Sequence, residues 1–277
     1  MQVATAHGAS MPVIGFGTWA INGEECMLSV AEALRVGYRH VDTAAGYRNE
    51  EHVGEAIRNS GIARDDIFIT TKVGPGDLED SAFKASAERS LKLLGIEQVD
   101  LLLIHWPSKT IPVATTIATL NAAKEAGWTR HIGVSNFTVK QLDEAWAATD
   151  APIVTNQCEY HPYLNQDKLL AACRKHGMIF TSFSPLARTV VLSDPVIVRI
   201  AQAKGVTPGQ VVLRWQIQQE NVVAIPKSTD AGRIRTNFEI FGFSLDDAEM
   251  GAISDLTKSH MHRGSSPAAI APDWDTK

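Results

Sequence analysis

Eight short apolar runs alternate with longer amphipathic stretches along this chain, and no other feature of the sequence limits the fold as strongly. Each run is almost continuously apolar or β-branched, which is typical of strands that are buried on both faces. The runs occupy residues 13–18, 39–43, 67–72, 99–105, 130–135, 152–157, 178–183 and 222–226.

The stretches that separate and follow these runs carry helical patterns. They cover residues 24–36, 50–59, 79–94, 112–126, 138–148, 166–176, 195–219 (in two pieces around Pro208) and 230–237. Eight strand–helix alternations predict a closed parallel (β/α)8 barrel, or TIM barrel, with a doubly wound open sheet as the structural alternative. The length of 277 residues is close to the roughly 250 of a single barrel, so we expect one domain over residues 1–277.

The two ends of the chain lie outside this alternation. Residues 1–12 precede the first run and are expected to form a hairpin under the barrel. Residues 246–257 carry one more helical pattern, and residues 258–277 are expected to be an extended tail in which His260 and His262 are solvated.

Charge and hydropathy argue against several classes of function. The formal net charge is −5 and like charges do not form runs of five, so we expect neither a nucleic-acid surface nor an anionic-membrane surface. The sequence contains no stretch of about 18 apolar residues, so no membrane span is expected. Residues 1–10 lack the basic and apolar regions of a signal peptide.

The cysteines and histidines do not suggest a metal site. Cys26, Cys158 and Cys173 have no metal-ligand spacing, and the nine histidines form no HExxH or Cys/His cluster, so no metal is expected. An odd number of cysteines also fits poorly with a disulfide framework. The simplest compartment is therefore a reducing cytoplasm.

A polar or aromatic residue stands at the end of nearly every predicted strand. Active sites of such barrels lie at the carboxyl ends of the strands, so these residues are expected to share one rim. One charged residue there could belong to a structural salt bridge, but a whole ring is hard to explain by packing alone. The strand ends carry Thr18-Trp19, Asp42-Thr43, Lys72, His105-Trp106, Ser135-Asn136, Gln157, Phe183-Ser184 and Lys227-Ser228.

Three of these rim residues and one tyrosine of a neighbouring loop suggest acid–base chemistry. Asp42 and Lys72 end neighbouring strands, and Tyr47 lies in the loop just after Asp42. A free tyrosine has a pKa of about 10, and a nearby ammonium group lowers that pKa. Asp42 would hold Lys72 charged, and His105 offers a hydrogen bond to a substrate oxygen. Together they predict a proton donor for a carbonyl oxygen that gains negative charge as hydride arrives.

Each of these residues alone has a plainer interpretation. An isolated Asp42–Lys72 pair is more often structural, His105 could be a core histidine, and Tyr47 could be a turn residue. Their joint occurrence at neighbouring rim positions favours the catalytic interpretation. Trp19 is expected to line the substrate pocket, with core packing as its alternative.

A hydride donor would have to bind here without a Rossmann fold. Gly15 and Gly17 are better explained as strand glycines than as part of a GxGxxG fingerprint. At the end of the eighth run, residues 227–229 (Lys-Ser-Thr) lead into a helix start with Arg233 one turn further on. Free N–H groups with Lys and Arg make an anion site, and barrels often bind phosphate there. A capped helix with solvated basic residues is the alternative.

These residues closely resemble the aldo-keto reductase family over essentially the whole chain. The segments GYRHVDTAAGYRNEEHVG at 37–54 and HIGVSNF at 131–137 look like its first two signatures. IPKS at 225–228, with Arg233 and Asn237, looks like the third. Phe183 departs from the family pattern, which usually has a tyrosine stacked on the nicotinamide, but it keeps an aromatic face.

The resemblance implies a role for each matching position. Asp42, Tyr47, Lys72 and His105 match the catalytic tetrad, in which Tyr47 is the proton donor and Lys72 lowers its pKa. The substrate pocket is expected to be lined by Trp19, Tyr47, His105 and Trp106. The implied NADPH-binding residues are Thr18, Asp42, Ser135, Asn136, Gln157, Phe183, Ser184, Leu186, Ala187, Lys227, Ser228, Thr229, Arg233 and Asn237.

Within the family, the sequence looks most similar to bacterial 2,5-diketo-D-gluconate and methylglyoxal reductases. The connection after His105-Trp106 is short, which implies an open pocket for small polar carbonyls. The expected protein is thus a monomeric, cytoplasmic, NADPH-dependent carbonyl reductase. The alternatives are a Schiff-base lyase with Lys72 as nucleophile and an NADPH-holding subunit that docks on a partner.

Overall fold

An antiparallel hairpin begins the chain in the computed structural model, which describes residues 1–259, 263–264 and 267–275. Its strands are β1 (Val3–Ala6) and β2 (Ala9–Pro12). Met11 of β2 is buried beside Thr181 in the barrel wall, with Thr181 Oγ1 3.8 Å from Met11 Sδ. The predicted hairpin is therefore confirmed, whereas His260 and His262 lie outside the described residues.

Eight parallel strands form the second sheet, and each of them overlaps one of the eight predicted runs. Neighbours in the sheet are also neighbours in the sequence, as βαβ units require. The strands are β3 (Phe16–Gly17), β4 (His40–Asp42), β5 (Phe68–Val73), β6 (Val99–Ile104), β7 (Thr129–Ser135), β8 (Ile153–Glu159), β9 (Ile179–Phe183) and β10 (Val222–Ala224).

Hydrogen bonds between the first and last of these strands close the sheet into a barrel. Gly15 N donates to Ala224 O at 2.9 Å, and Ala224 N donates to Val13 O at 2.9 Å. Gly17 N donates to Pro226 O at 3.0 Å. A Cβ on Gly17 would lie 2.9 Å from Ile225 O, so this close approach requires glycine. The closed barrel is confirmed, and the open-sheet alternative is wrong.

The helices lie where the periodicity predicts them, with bounds that differ by one or two residues. Thr207 caps one helix with Pro208 at its first position, and Gly205 ends the preceding helix at φ 68°, which explains the predicted break. The helices are α1 (Gly23–Val36), α2 (Glu50–Asn59), α3 (Asp80–Leu94), α4 (Val113–Glu125), α5 (Val139–Ala148), α6 (Asp167–Lys175), α7 (Pro195–Lys204), α8 (Pro208–Ile217), α9 (Ala231–Phe238) and α10 (Asp247–Ser259).

This architecture brings the carboxyl ends of β3–β10 to one rim. The strands are buried over nearly their whole length, so the polar groups at their ends are the first that can meet solvent. Among the described residues, no helix is long and apolar enough to cross a membrane.

Candidate active site

A cavity of about 680 Å³ opens at the carboxyl-terminal rim of the barrel. Its wall contains the ends of several strands, the loop after β9 and two residues of the C-terminal tail. Many of the predicted site residues therefore face one space. The lining residues are Gly17, Trp19, Asp42, Tyr47, His105, Trp106, Asn136, Gln157, Phe183, Ser184, Pro185, Leu186, Arg188, Thr189, Ile225, Pro226, Lys227, Gly264 and Pro267.

An ion pair between Lys72 and Asp42 lies at the base of this cavity. Lys72 Nζ donates to Asp42 Oδ1 at 2.5 Å and to the Thr43 carbonyl at 2.8 Å. Gln157 Nε2 donates to the other carboxylate oxygen at 2.7 Å. The Thr18 hydroxyl donates to the Asp42 carbonyl at 3.0 Å. Both charged side chains are almost fully buried, so each depends on these partners for compensation.

Tyr47 presents its hydroxyl group to this ion pair. It ends a 3₁₀ turn, Ala45–Tyr47, directly after β4. Lys72 Nζ lies 3.4 Å from the Tyr47 hydroxyl oxygen and 5.0 Å from the centre of the ring. The His105 ring meets the Tyr47 ring edge to face, with centroids 5.5 Å apart. The structure thus brings the predicted tetrad together at the cavity.

Desolvation by the surrounding protein raises the pKa of Tyr47 above its usual range, while the Lys72 ammonium opposes that rise. The expectation that Lys72 gives this phenol a net lowered pKa is therefore wrong for the free enzyme. Desolvation is the largest of these contributions and outweighs the attraction of the ammonium group. The Lys72 ammonium lowers the pKa of Tyr47, as expected, but by less than desolvation raises it.

Lys72 and His105 are each held in a single protonation state. Burial alone would lower the pKa of Lys72, but Asp42 and Tyr47 together raise it above the usual value. Burial, assisted by the nearby Lys72 charge, lowers the pKa of His105 to about 3. At neutral pH, Lys72 is therefore an ammonium and His105 a neutral imidazole.

Asn136 carries a buried acceptor whose partner is not found among the described residues. Its Nδ2 donates to the His105 carbonyl and to Ser135 Oγ, each at 3.0 Å, which fixes the amide orientation. Its Oδ1 has no hydrogen-bond partner there. The Ser135 hydroxyl donates to the Gln157 carbonyl at 2.8 Å. An unpaired buried acceptor is costly, so this wall fits a ligand with an N–H donor, such as a carboxamide.

The segment after β9 borders the same cavity. Phe183, Ser184 and Leu186 contribute to the lining, whereas Ala187 is buried behind it. Ser184 and Ala187 both have positive φ, 48° and 47°. The half-buried Phe183 offers an aromatic face to a planar ring.

The predicted anion site lies at the loop between β10 and α9. Lys227 lines the cavity, and Arg233 Nε lies 3.4 Å from Ser228 Oγ. Lys227, Thr229 and Arg233 are exposed, and Asp230 caps the helix by accepting from Arg233 N. Ser228, Thr229 and Arg233 do not line the cavity; together with Lys227 they form a surface next to it, which we call the basic shelf.

Asn237 is the predicted cofactor residue furthest along this shelf. It is buried on α9 and faces the start of α8. A Cβ on Gly209 of that helix would lie 3.8 Å from Asn237 Oδ1 and 4.0 Å from Leu186 Cδ1. The loop after β9, α8 and α9 therefore converge beside the cavity.

Two tryptophans, Trp19 and Trp106, line the pocket. Trp19 is 52% exposed, so its alternative assignment to core packing is wrong. Trp106 is buried and packs against Trp274 of the tail, with ring centroids 6.3 Å apart. The Arg263 guanidinium lies 3.8 Å from the centre of the Trp274 ring.

The C-terminal tail is part of the site in a way that the sequence did not reveal. Gly264 and Pro267 line the cavity, and Gly264 N donates to buried Glu159 Oε1 at 2.8 Å. Asp275 Oδ2 accepts from Val139 N at the start of α5, at 2.8 Å. These bonds hold the described residues of the tail against the barrel, where Gly264 and Pro267 form part of the pocket wall.

Asn49 is a second contributor that residue patterns did not single out. It is fully buried, donates to the carbonyls of Thr18 (2.9 Å) and Ile21 (2.8 Å), and accepts from the Thr43 hydroxyl (2.8 Å). It thereby fixes the Trp19 loop to the loop that carries Tyr47. Asn49 lies within residues 37–54, which resemble the first family signature, and this position was the one feature of the sequence that could have identified it.

Within residues 1–259, 263–264 and 267–275, no acidic, His or Cys cluster could hold a metal ion.

Known proteins with similar sequences and structures agree with the resemblance. A model of the Aldo/keto reductase family matches residues 13–258. Methylglyoxal reductase DkgB of Yersinia pestis is 40% identical, with coverage of 96% of this chain and 100% of that protein. Glycerol 2-dehydrogenase (NADP(+)) of Saccharomyces cerevisiae is 36% identical, with coverage of 96% and 93%.

A solved structure extends this agreement to the whole backbone. The crystal structure of a protein provisionally named 2,5-diketo-D-gluconic acid reductase B has a TM-score of 0.96 and 44% identity. The similarity covers 99% of this chain and 98% of that one. The chain therefore belongs to the aldo/keto reductase family and is an oxidoreductase that acts on carbonyl and alcohol groups.

Proposed function

We propose that this enzyme uses NADPH to reduce aldehydes and ketones to alcohols, with Tyr47 as the proton donor. The observation on which this rests most is the Tyr47 hydroxyl, which lies 3.4 Å from the Lys72 ammonium at the wall of the cavity. A phenol beside a buried cation is suited to release a proton to an oxygen that is becoming negative.

A nicotinamide coenzyme supplies the hydride when it is bound. Asn136 Oδ1, the unpaired acceptor, would bind its carboxamide, and Phe183 would face its ring. Tyr47 holds its proton until the carbonyl oxygen gains charge, and Lys72 stabilises the phenolate that remains. Neutral His105 orients the substrate oxygen by a hydrogen bond. Asp42 keeps Lys72 protonated, so these residues form one acid–base unit.

The basic shelf after β10 supports NADPH rather than NADH. Lys227 and Arg233 supply two exposed cations, and Ser228 and Thr229 supply hydroxyl groups. Such a set suits the additional 2′-phosphate of NADPH. The yeast relative named above carries NADP(+) in its name, which agrees with this choice.

Small polar carbonyls, such as methylglyoxal or 2,5-diketo-D-gluconate, are the proposed substrates. The names of the similar proteins above and the short connection after Trp106 support this class. We propose that residues 1–277 form one domain that acts as a cytoplasmic monomer. The free, buried cysteines agree with a reducing compartment.

The Schiff-base alternative is disfavoured by the charge state of Lys72. An amine must lose its proton before it can attack a carbonyl carbon. The Asp42 contact holds the Lys72 pKa above its usual value, so the free amine is scarce at neutral pH.

A Tyr47→Phe variant tests the proposal. We expect kcat for aldehydes to fall by about 10²–10⁴, the usual contribution of a general acid. NADPH should still quench tryptophan fluorescence with its wild-type affinity, and more tightly than NADH. Tyr163→Phe, which removes a hydroxyl bonded to Asp194 outside the cavity lining, is the control. Wild-type turnover by Tyr47→Phe would remove Tyr47 from the mechanism.

A further inference from the structure

The amide group of Asn49 connects three segments of the rim in a single orientation. Its Nδ2 donates to the carbonyls of Thr18 and Ile21, at 2.9 and 2.8 Å. Its Oδ1 accepts from the Thr43 hydroxyl at 2.8 Å. Because backbone carbonyls only accept, the amide nitrogen must face them, which fixes the orientation of the group. The side chain is fully buried, where such bonds are stronger than in water.

The bond from Thr43 to Asn49 closes the loop that carries Tyr47. The two residues are six positions apart in the sequence, and Tyr47 lies between them at the end of its 3₁₀ turn. Arg48 follows in a left-handed conformation, with φ 58°. Tyr47 lines the cavity, whereas Asn49 is buried two positions later. A closed loop has fewer conformations than an open one, so the bond restricts the positions that the Tyr47 side chain can occupy.

Thr43 also binds the ammonium group of the tetrad. Its carbonyl accepts from Lys72 Nζ at 2.8 Å, beside the 2.5 Å bond from the same nitrogen to Asp42 Oδ1. The N–H of Thr43 donates to a carbonyl of β5 at 2.9 Å, and Asn49 holds its side chain. The two acceptors take two of the three N–H bonds of Lys72, and the Tyr47 oxygen lies 3.4 Å away for the third.

We propose that Asn49 is a positioning residue for carbonyl reduction. Through the Thr43 hydroxyl, it holds the Lys72 ammonium group and the Tyr47 loop in their reactive arrangement. This inference rests on the reductase function proposed above. Asn49 is not among the described residues that line the cavity, so it acts on the reaction through its neighbours. A misplacement of about 1 Å at the reacting groups can lower a rate about 10²-fold, so one bond behind the rim is sufficient to affect turnover.

Thr43→Val removes this bond with little change in the size of the side chain. It keeps the Thr43 carbonyl and both bonds that the Asn49 nitrogen donates. We expect kcat for methylglyoxal to fall about tenfold, the factor that corresponds to one hydrogen bond. KM and the NADPH affinity measured by fluorescence quenching should stay unchanged. Thr43→Ser restores a hydroxyl group and should regain most of the turnover. Thr149→Val is the matched control, because the Thr149 hydroxyl also donates to an asparagine oxygen, Asn121 Oδ1, at 3.1 Å, and neither residue lines the cavity.

A double-mutant cycle tests whether Asn49 acts through Thr43. Asn49→Ala removes all three side-chain bonds of the amide group. In that background, Thr43→Val should lower kcat little further, because the bond between the two residues is already lost. If circular dichroism shows that Asn49→Ala does not fold, Thr43→Val and Thr43→Ser decide the matter without it.

The outcomes separate this inference from the proposed function. No turnover of methylglyoxal or of a panel of other aldehydes with NADPH by the wild-type enzyme would count against the function itself. With an active wild-type enzyme, an unchanged kcat in folded Thr43→Val would overturn the inference. Equal falls in kcat in Thr43→Val and Thr43→Ser, or in Thr43→Val and Thr149→Val, would also overturn it. Losses that add fully in the double variant would do the same.

Discussion

Replacement of Asp42 by Asn tests how strongly the stability of the fold depends on the buried Asp42–Lys72 ion pair. The variant keeps the size of the side chain but leaves the Lys72 ammonium, which is 0% exposed, without its counterion. Breaking a buried pair by removing one partner costs about 3–5 kcal/mol. The Thr43 carbonyl still accepts from Lys72 at 2.8 Å, which favours the lower end of that range.

Gln157 adds a second contribution to this loss. Its Nε2 donates to Asp42 Oδ2 at 2.7 Å, and an asparagine amide nitrogen in that place would leave two donors facing each other. A buried donor left unpaired costs about 1–3 kcal/mol, unless the Gln157 amide rotates. We therefore expect Asp42→Asn to lose about 3–6 kcal/mol at pH 7, which lowers the melting temperature by roughly 2–4 °C per kcal/mol.

Thermal unfolding followed by circular dichroism measures this loss. Asp65→Asn makes the same chemical change in an exposed pair with Arg130 and should leave the melting temperature nearly unchanged. The double variant Asp42→Asn/Lys72→Met removes the uncompensated charge and should be more stable than Asp42→Asn alone. If the double variant is the less stable of the two, the isolated ammonium is not the source of the loss.

Two further predictions concern Glu50 and the tail. Burial raises the pKa of Glu50, so its destabilising effect is absent below the unfolded value of about 4.3 and grows as pH rises through the folded pKa. Glu50→Gln should therefore melt above wild type at pH 8, with the gap closing at pH 4; an equal gap at both pH values would contradict this. Trp274→Ala removes the ring packed on Trp106 and should raise KM for the carbonyl about two- to tenfold. Its kcat and NADPH affinity should stay unchanged; a weakened NADPH affinity with an unchanged KM would refute it.

The barrel could be predicted from the sequence because its determinants are local. Each strand is a short run buried on both faces, and each helix has its own period and end signals, such as Thr207-Pro208. The rim residues followed from one rule, that parallel strands in a barrel end on the same side. Asp42, Lys72 and His105 can therefore be placed together from the sequence alone.

The remaining features depend on contacts between distant residues. Gly264 lines the pocket because Glu159, 105 positions earlier, accepts its N–H, and no periodicity encodes that bond. Arg188 lines the cavity in a turn where three consecutive residues adopt positive φ, which their side chains do not favour. The direction in which the pKa of Tyr47 shifts also depends on how much water the neighbouring residues exclude.

The raised pKa of Tyr47 is compatible with its proposed role as a proton donor. A general acid must hold its proton in the resting enzyme, and burial ensures that it does. The reaction is accelerated by interactions that stabilise the transition state more than the ground state. Lys72 provides it, because its attraction to Tyr47 strengthens as the phenol becomes a phenolate. Asp42, Lys72 and Tyr47 therefore keep the proton in place until a carbonyl oxygen beside them gains negative charge.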